Sequence, residues 1–120
     1  MDAKVYRWDD LPKDNPIPLL ERRKLTGGQI LAAQVLLQKG CHVQTHNHDS
    51  EQFAFVQSGK LRFGIGAEGS PERHDVVVEG GQFIHLPSNV PHSADAEEDT
   101  WVLDILSPLG PMGIDSHGRD

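Results

Sequence analysis

The sequence predicts an all-β domain, an antiparallel sandwich or barrel, and three observations carry that prediction. Short apolar segments of strand length recur along the chain, turn residues separate them, and almost no stretch shows helical periodicity. Gly and Pro supply 12 and 8 of the 120 residues, which suits a turn-rich β domain better than a helical one. A chain of this length can hold one core and is too short for two, so a single domain is expected. It contains no internal repeat and no low-complexity segment.

Taken in order, residues 1–18 hold Pro12, Pro16 and Pro18 with Tyr6 and Trp8. They read as an N-terminal arm, with a short strand near Val5, lying on an apolar surface. The barrel is expected over residues 19–108. Residues 19–25 form its first strand, and Thr26-Gly27-Gly28 turns the chain. Residues 29–37, QILAAQVLL, are apolar on both faces. A short helix fits the same letters, but the flanking glycines favour a strand covered on both sides. Residues 40–59, GCHVQTHNHDSEQFAFVQSG, read as a strand with a short break. Ser58-Gly59-Lys60 then makes a tight turn into LRFGI, a hairpin in which Leu61, Phe63 and Ile65 alternate with Arg62 and Gly64. Residues 67–73 are a loop and 76–78 a strand. Glu79-Gly80-Gly81 turns into a strand over 82–86 that ends at Pro87. Residues 100–107 form the last strand, and 109–120 a C-terminal tail.

Charge and cysteine content narrow the function classes. Net charge is −7, from 18 acidic and 11 basic residues, with no basic cluster beyond Arg22, Arg23 and Lys24. A nucleic-acid backbone would be repelled, so no nucleic-acid partner is expected. No apolar run reaches the roughly 18 residues that span a bilayer, and the acidic amino terminus lacks a signal-peptide pattern. The expected location is cytoplasmic, without a membrane partner. The lone Cys41 can form no internal disulfide and reads as a buried spectator thiol.

The chemistry concentrates in residues 40–59. His46 and His48 are two apart, so on a strand both imidazoles share a face and can address one ion. Two surface histidines on a polar strand face are the plain alternative. Gln52 keeps the same parity if the strand resumes after the break, and its amide oxygen can complete a ligand set with neutral imidazoles. Glu51 competes for that place but has the opposite parity and would face away. Downstream, GQFIHLPSNVPHSADA places His92 five residues after Pro87, where the chain can return toward the first histidines. Asp104 interrupts the apolar run WVLDIL. A buried carboxylate is costly without a reason, and two reasons stand level: proton transfer beside a metal-bound substrate, or hydrogen-bond acceptance at a barrel end. His42, His74, His85 and His117 read as structural or exposed. Arg22 and Arg23 read as a solvated face, with a substrate carboxylate contact as the lesser alternative.

These two segments resemble the paired motifs of the cupin superfamily. The first, G-x5-H-x-H-x3-E-x6-G, is matched by Gly40, His46, His48, position 52 and Gly59. The second, G-x5-P-x-G-x2-H-x3-N, is matched by Gly81, Pro87, position 89 and His92. The chain departs from them in carrying Gln52, Asn89 and Ala96. Asn tolerates the left-handed turn nearly as Gly does, while Gln52 removes one negative charge from the ligand set. The resemblance implies an antiparallel double-stranded β-helix, the jelly-roll barrel, holding one divalent transition metal per chain. Fe, Mn, Ni, Co, Cu and Zn all suit such ligands.

Within the superfamily, HNHDSEQFAFVQSGKLRF and LPSNVPHSADAEEDTWVLDILSP are similar to small single-domain cupins of pectin and uronate breakdown. That similarity implies His46, His48, Gln52 and His92 as metal ligands and Asp104 as acid–base carboxylate. The implied reaction is metal-assisted tautomerisation of a 4,5-unsaturated monouronate. Two positions depart from the pattern: Leu106 stands where those proteins carry Phe, and Gly110 where they carry Arg. The expected function is a metal-dependent tautomerase or isomerase of a small sugar acid or other oxygen-rich substrate. An Fe- or Mn-dependent dioxygenase and a non-catalytic metal or ligand sensor are the alternatives. A homodimer is expected, from the arm and from strands apolar on both faces.

Overall fold

The structure, a computed structural model, describes residues 2–115. Its strands are β1 (Lys13–Asp14), β2 (Leu20–Thr26), β3 (Leu31–Leu37), β4 (His42–His46), β5 (Glu51–Ser58), β6 (Lys60–Ile65), β7 (His74–Glu79), β8 (Phe83–Leu86), β9 (His92–Ala96) and β10 (Thr100–Ser107). One sheet runs β1-β2-β3-β10-β5-β8 and the other β4-β9-β6-β7, with antiparallel pairing throughout. Sequence-adjacent strands β3 and β4, β5 and β6, and β9 and β10 lie in different sheets, which is the jelly-roll arrangement expected.

Side-chain alternation places the core between the sheets. On β3, Leu31, Ala33, Val35 and Leu37 are buried while Ala32, Gln34 and Leu36 are half-buried. Thr100, Val102, Asp104 and Leu106 of β10 point the same way, and Val43, Leu61, Phe63 and Ala94 meet them from the other sheet. Each large apolar side chain so enclosed contributes about 1.5–3 kcal/mol.

Five points of local structure correct or extend the sequence reading. The arm forms a 3-10 turn over Trp8–Asp10 and pairs through β1 rather than near Val5, which is 97% exposed. Proline spacing located the arm but not its register. Tyr6, Trp8 and Leu11 line a shallow hollow with Leu25 and Ala32, so the arm covers the outer face of β2 and β3. Second, Ser58-Gly59-Lys60 makes a corner between sheets: β6 pairs with β7 and β9, not with β5. Third, β9 is a strand that the glycine-free run after Pro91 does not announce, since its residues are small or polar. Fourth, Arg22 is 2% exposed, packed inside rather than solvated. It shares parity with Leu20 on β2, and its charge is met by Asp14 and Asp115 at 2.7 and 2.8 Å. Fifth, the chain beyond β10 turns back, burying Met112 and Ile114. His117 lies outside the described residues.

Gly59 shows why the corner is specific. Its φ is +96°, and a Cβ there would lie 2.7 Å from the Thr100 Cα and against the Asp99 carbonyl. Gly59→Ala is therefore expected to destabilise the fold by more than about 2 kcal/mol, with a lower midpoint in urea denaturation. An unchanged midpoint would show that the corner relaxes freely.

Candidate metal centre

The two ligand-bearing segments meet because β4 pairs with β9, and His46 and His92 are register partners in that ladder. His48 sits in the break between β4 and β5. The turn after β8 holds that break in place: the Asn89 N–H donates to the His48 carbonyl at 2.8 Å, and Ser88 Oγ to the Asp49 carbonyl at 2.6 Å. Asn89 has φ +64°, the left-handed conformation expected of it. Gln52 enters from the opposite sheet on the inward face of β5, while Glu51 points out and accepts from His85 at 2.8 Å. The parity argument for Gln52 over Glu51 thus describes where these side chains go.

Each imidazole is oriented in the same way. His46 Nδ1 lies 2.9 Å from the Gln44 carbonyl, His48 Nδ1 2.8 Å from that of Ser50, and His92 Nδ1 3.0 Å from that of Val90. A carbonyl oxygen only accepts, so each Nδ1 carries the proton and each Nε2 presents a lone pair. One ligand atom from each of the three histidines falls within 4.8 Å of the others. The His46 and His92 rings stand edge to face at 4.3 Å. His48 Nε2 is buried with no hydrogen-bond partner. An orphaned buried acceptor is costly unless something binds it. Three neutral lone pairs on one point, one without a protein partner, fit a divalent transition ion. Burial, with the neighbouring His46, lowers the His92 pKa to about 4, so this imidazole stays neutral at pH 7.

Asp104 and Gln52 form the other half of the site. Gln52 Nε2 donates to Asp104 Oδ1 at 2.8 Å, which leaves the amide oxygen as the acceptor Gln52 can offer. Burial pushes the Asp104 carboxyl up to about 7 against the opposing effect of that hydrogen bond. His46, Gln52, His92 and Asp104 line one cavity of about 60 Å³, walled by Leu20, Val43, Phe63, Met112 and Ile114 among others.

Other candidates fall outside this cluster. His42 is exposed beside Asp95, and His74 is exposed with Nδ1 near the Glu72 carbonyl. Arg23 reaches the carbonyls of Trp8, Asp9 and Leu11, holding the arm. Burial, then Asp95, raises the Cys41 thiol to about 11, which suits the inert thiol expected. Sequence reasoning named Arg22 only as a lesser candidate for a substrate carboxylate contact, and it missed residues 112–115 as neighbours of the site. The parity of Arg22 with Leu20 was a usable signal, whereas residues 112–115 carry none.

This barrel with histidines converging inside one end defines a cupin-type protein. The sequence profile described as Cupin domain (Cupin_2) matches residues 33–107, more than half of the chain, and the chain belongs to that family. No curated protein sequence matches it. Among solved structures it resembles an RmlC-like cupin from Shewanella frigidimarina, with TM-score 0.78 and 18% identity over 90% of this chain and 93% of that one. It also resembles KdgF from Halomonas sp., with TM-score 0.76 and 22% identity over 89% and 96%. An oxalate decarboxylase variant from Bacillus subtilis gives TM-score 0.76 and 20% identity, covering 89% of this chain but 31% of that one. At these identities the likeness is one of fold.

Metal binding should follow the protonation logic of the imidazoles. His48→Ala is expected to weaken Ni²⁺ or Zn²⁺ binding by at least about 100-fold, the upper range for groups that merely orient a ligand. Binding to the intact site should fall as pH drops below the ordinary histidine range near about 6.5, because protons then compete for Nε2. Competition titration with a chromophoric chelator measures both. Equal affinity in the variant would remove His48 from the site.

Proposed function

We propose that the protein is a metal-dependent enzyme that moves a proton on a small sugar acid or similar oxygen-rich substrate. The single observation behind this is Asp104, a buried carboxyl with a pKa near 7, in one cavity with His46 and His92. His46, His48 and His92, with the amide oxygen of Gln52, would hold the ion. When bound, it supplies Lewis acidity toward a substrate oxygen. Asp104 takes a proton from the substrate and returns it at another atom, a role for which a carboxyl poised near neutrality is suited. The Gln52 amide fixes the carboxylate through Oδ1. Leu20, Val43, Phe63 and Val102 keep the surroundings apolar, which sustains the raised pKa.

The sequence resemblance to uronate-breakdown cupins supports a 4,5-unsaturated monouronate as the first substrate to try, and the likeness to KdgF is in keeping with it. Metal-loaded protein is expected to accelerate the loss of the ultraviolet absorbance of unsaturated galacturonate. Asp104→Asn, which can still accept from Gln52, should lower the rate by about 100-fold or more with metal content unchanged. Loss of absorbance no faster than in buffer would end the tautomerase reading. Oxygen uptake would favour a dioxygenase, and stoichiometric binding without turnover a sensor.

The same reading includes a homodimer. Phe53 and Phe83 are exposed on the outer face near the β8 edge, with Phe55 4.8 Å from Phe83, an apolar surface that a second copy would cover. Light scattering at micromolar concentration should give twice the chain mass, and a monomer's mass would refute it.

A further inference from the structure

The cavity beside the histidines, about 60 Å³, has room for a few water-sized molecules and is too small for a sugar acid. What fills the remaining space is the chain itself. Met112 and Ile114 are buried in the cavity wall, and Gly113 passes so close to His46 that a Cβ there would collide with the imidazole ring. Residues 112–115 therefore occupy the position from which a ligand would reach the histidines.

Behind this segment lies Arg22. Its side chain points into the barrel from β2, where Arg22 is the register partner of the buried Val35. The guanidinium is divided between two carboxylates. Nε and Nη2 donate to Asp14 Oδ1 and Oδ2 at 3.0 and 2.7 Å, a two-pronged pair that belongs to the arm. On the other side Nη1 donates to Asp115 Oδ2 at 2.9 Å, and Nη2 lies 2.8 Å from Asp115 Oδ1. Nη1 also touches Met112 Sδ at 3.7 Å. The second carboxylate thus comes from the same few residues that cover the histidines. Lifting residues 112–115 would open the site and, in the same movement, expose an inward-facing guanidinium that has lost one of its two carboxylates. A buried cation so exposed binds an incoming carboxylate on the same donors, leaving no charge unpaired.

We propose that Arg22 is the carboxylate anchor of this site and that Asp115 is its internal occupant. The natural ligand is then a small carboxylic acid with a further oxygen placed to reach the histidines, and it enters by replacing the 112–115 segment. Net charge around the guanidinium is the same before and after, so the exchange is one anion for another. This rests on reading the cavity as a ligand site, but it does not depend on which metal is held or on turnover.

The test reads the segment directly. Met112 is one of two methionines in the chain, so its ε-methyl NMR signal is readily assigned. Metal-free and Zn²⁺-loaded protein are titrated with D-galacturonate and, separately, with D-galactose, which lacks the carboxylate. Galacturonate is expected to move the Met112 methyl signal to the position of an exposed chain, and galactose to leave it in place. Asp115→Asn should bind galacturonate about tenfold more tightly, because the internal competitor has lost its charge. Arg22→Lys keeps the charge but not the forked geometry and should bind it about tenfold more weakly while retaining the wild-type circular dichroism. An equal response to both sugars, no Met112 shift in either state, or an unchanged Kd in Asp115→Asn would overturn the proposal. A protein that fails to bind Zn²⁺ yet shows the galacturonate-specific shift would sink the metal reading and leave Arg22 as the anchor. One that binds Zn²⁺ normally without that shift would do the reverse.

Discussion

The site depends on three backbone carbonyls, those of Gln44, Ser50 and Val90, each taking the Nδ1 proton of a histidine two residues away. Because the partners can only accept, the tautomers are fixed and three Nε2 lone pairs face one point. Without these contacts nothing here would select the Nδ1 tautomer, and the tautomer with a proton on Nε2 would block the ion. The local device is cheap, since each carbonyl it uses lies two residues from its histidine. Its result is expensive if left alone: a buried lone pair on His48 with no protein donor. A bound cation resolves that cost, which is why the arrangement argues for a ligand and not simply for packing.

The scaffold exists to make distant pieces of chain meet. The β4–β9 ladder sets His46 against His92, and the Ser88-Asn89 turn fastens the loop that carries His48. Gln52 approaches from the facing sheet, so the candidate ligands come from both layers. The break over residues 47–50 carries the chain from the sheet of β4 to that of β5, and the corner at Gly59 returns it within one residue of left-handed backbone.

Much of the barrel interior is apolar, and near the site buried polar groups are arranged in pairs. Gln52 holds Asp104, and Asp14 with Asp115 holds Arg22. The carboxyl of Asp115 is pulled two ways: burial alone would raise its pKa, and the hydrogen bond and charge of Arg22 outweigh that and lower it. For Arg22 burial opposes the charged form, and the two carboxylates more than restore it. Among the described residues no such cation meets Asp104, and its pKa rises instead. Two carboxyls near one cavity thus come to differ in protonation at pH 7 because one neighbours a guanidinium and the other an amide.

Much of this was legible in the sequence. Apolar runs bounded by turn residues placed strands over 29–37 and 100–107, and parity within β5 set Gln52 inward and Glu51 outward, since strand geometry repeats every two residues whatever surrounds it. Shared parity is not what gathers the candidate ligands: His48 lies in the break after β4, and Gln52 on the facing sheet. What the sequence could not contain was partnership at a distance. Arg22 looks like a surface cation until β2 turns its parity inward, and residues 112–115 have no periodic pattern of their own. Their burial is decided by a barrel mouth that exists only once both sheets have closed. Local chemistry wrote the strands and the candidate ligands. The pairing of Arg22 with Asp14 and Asp115, and the covering of His46 by Gly113, were decided by the tertiary structure, because charge compensation and space filling are properties of neighbours in three dimensions.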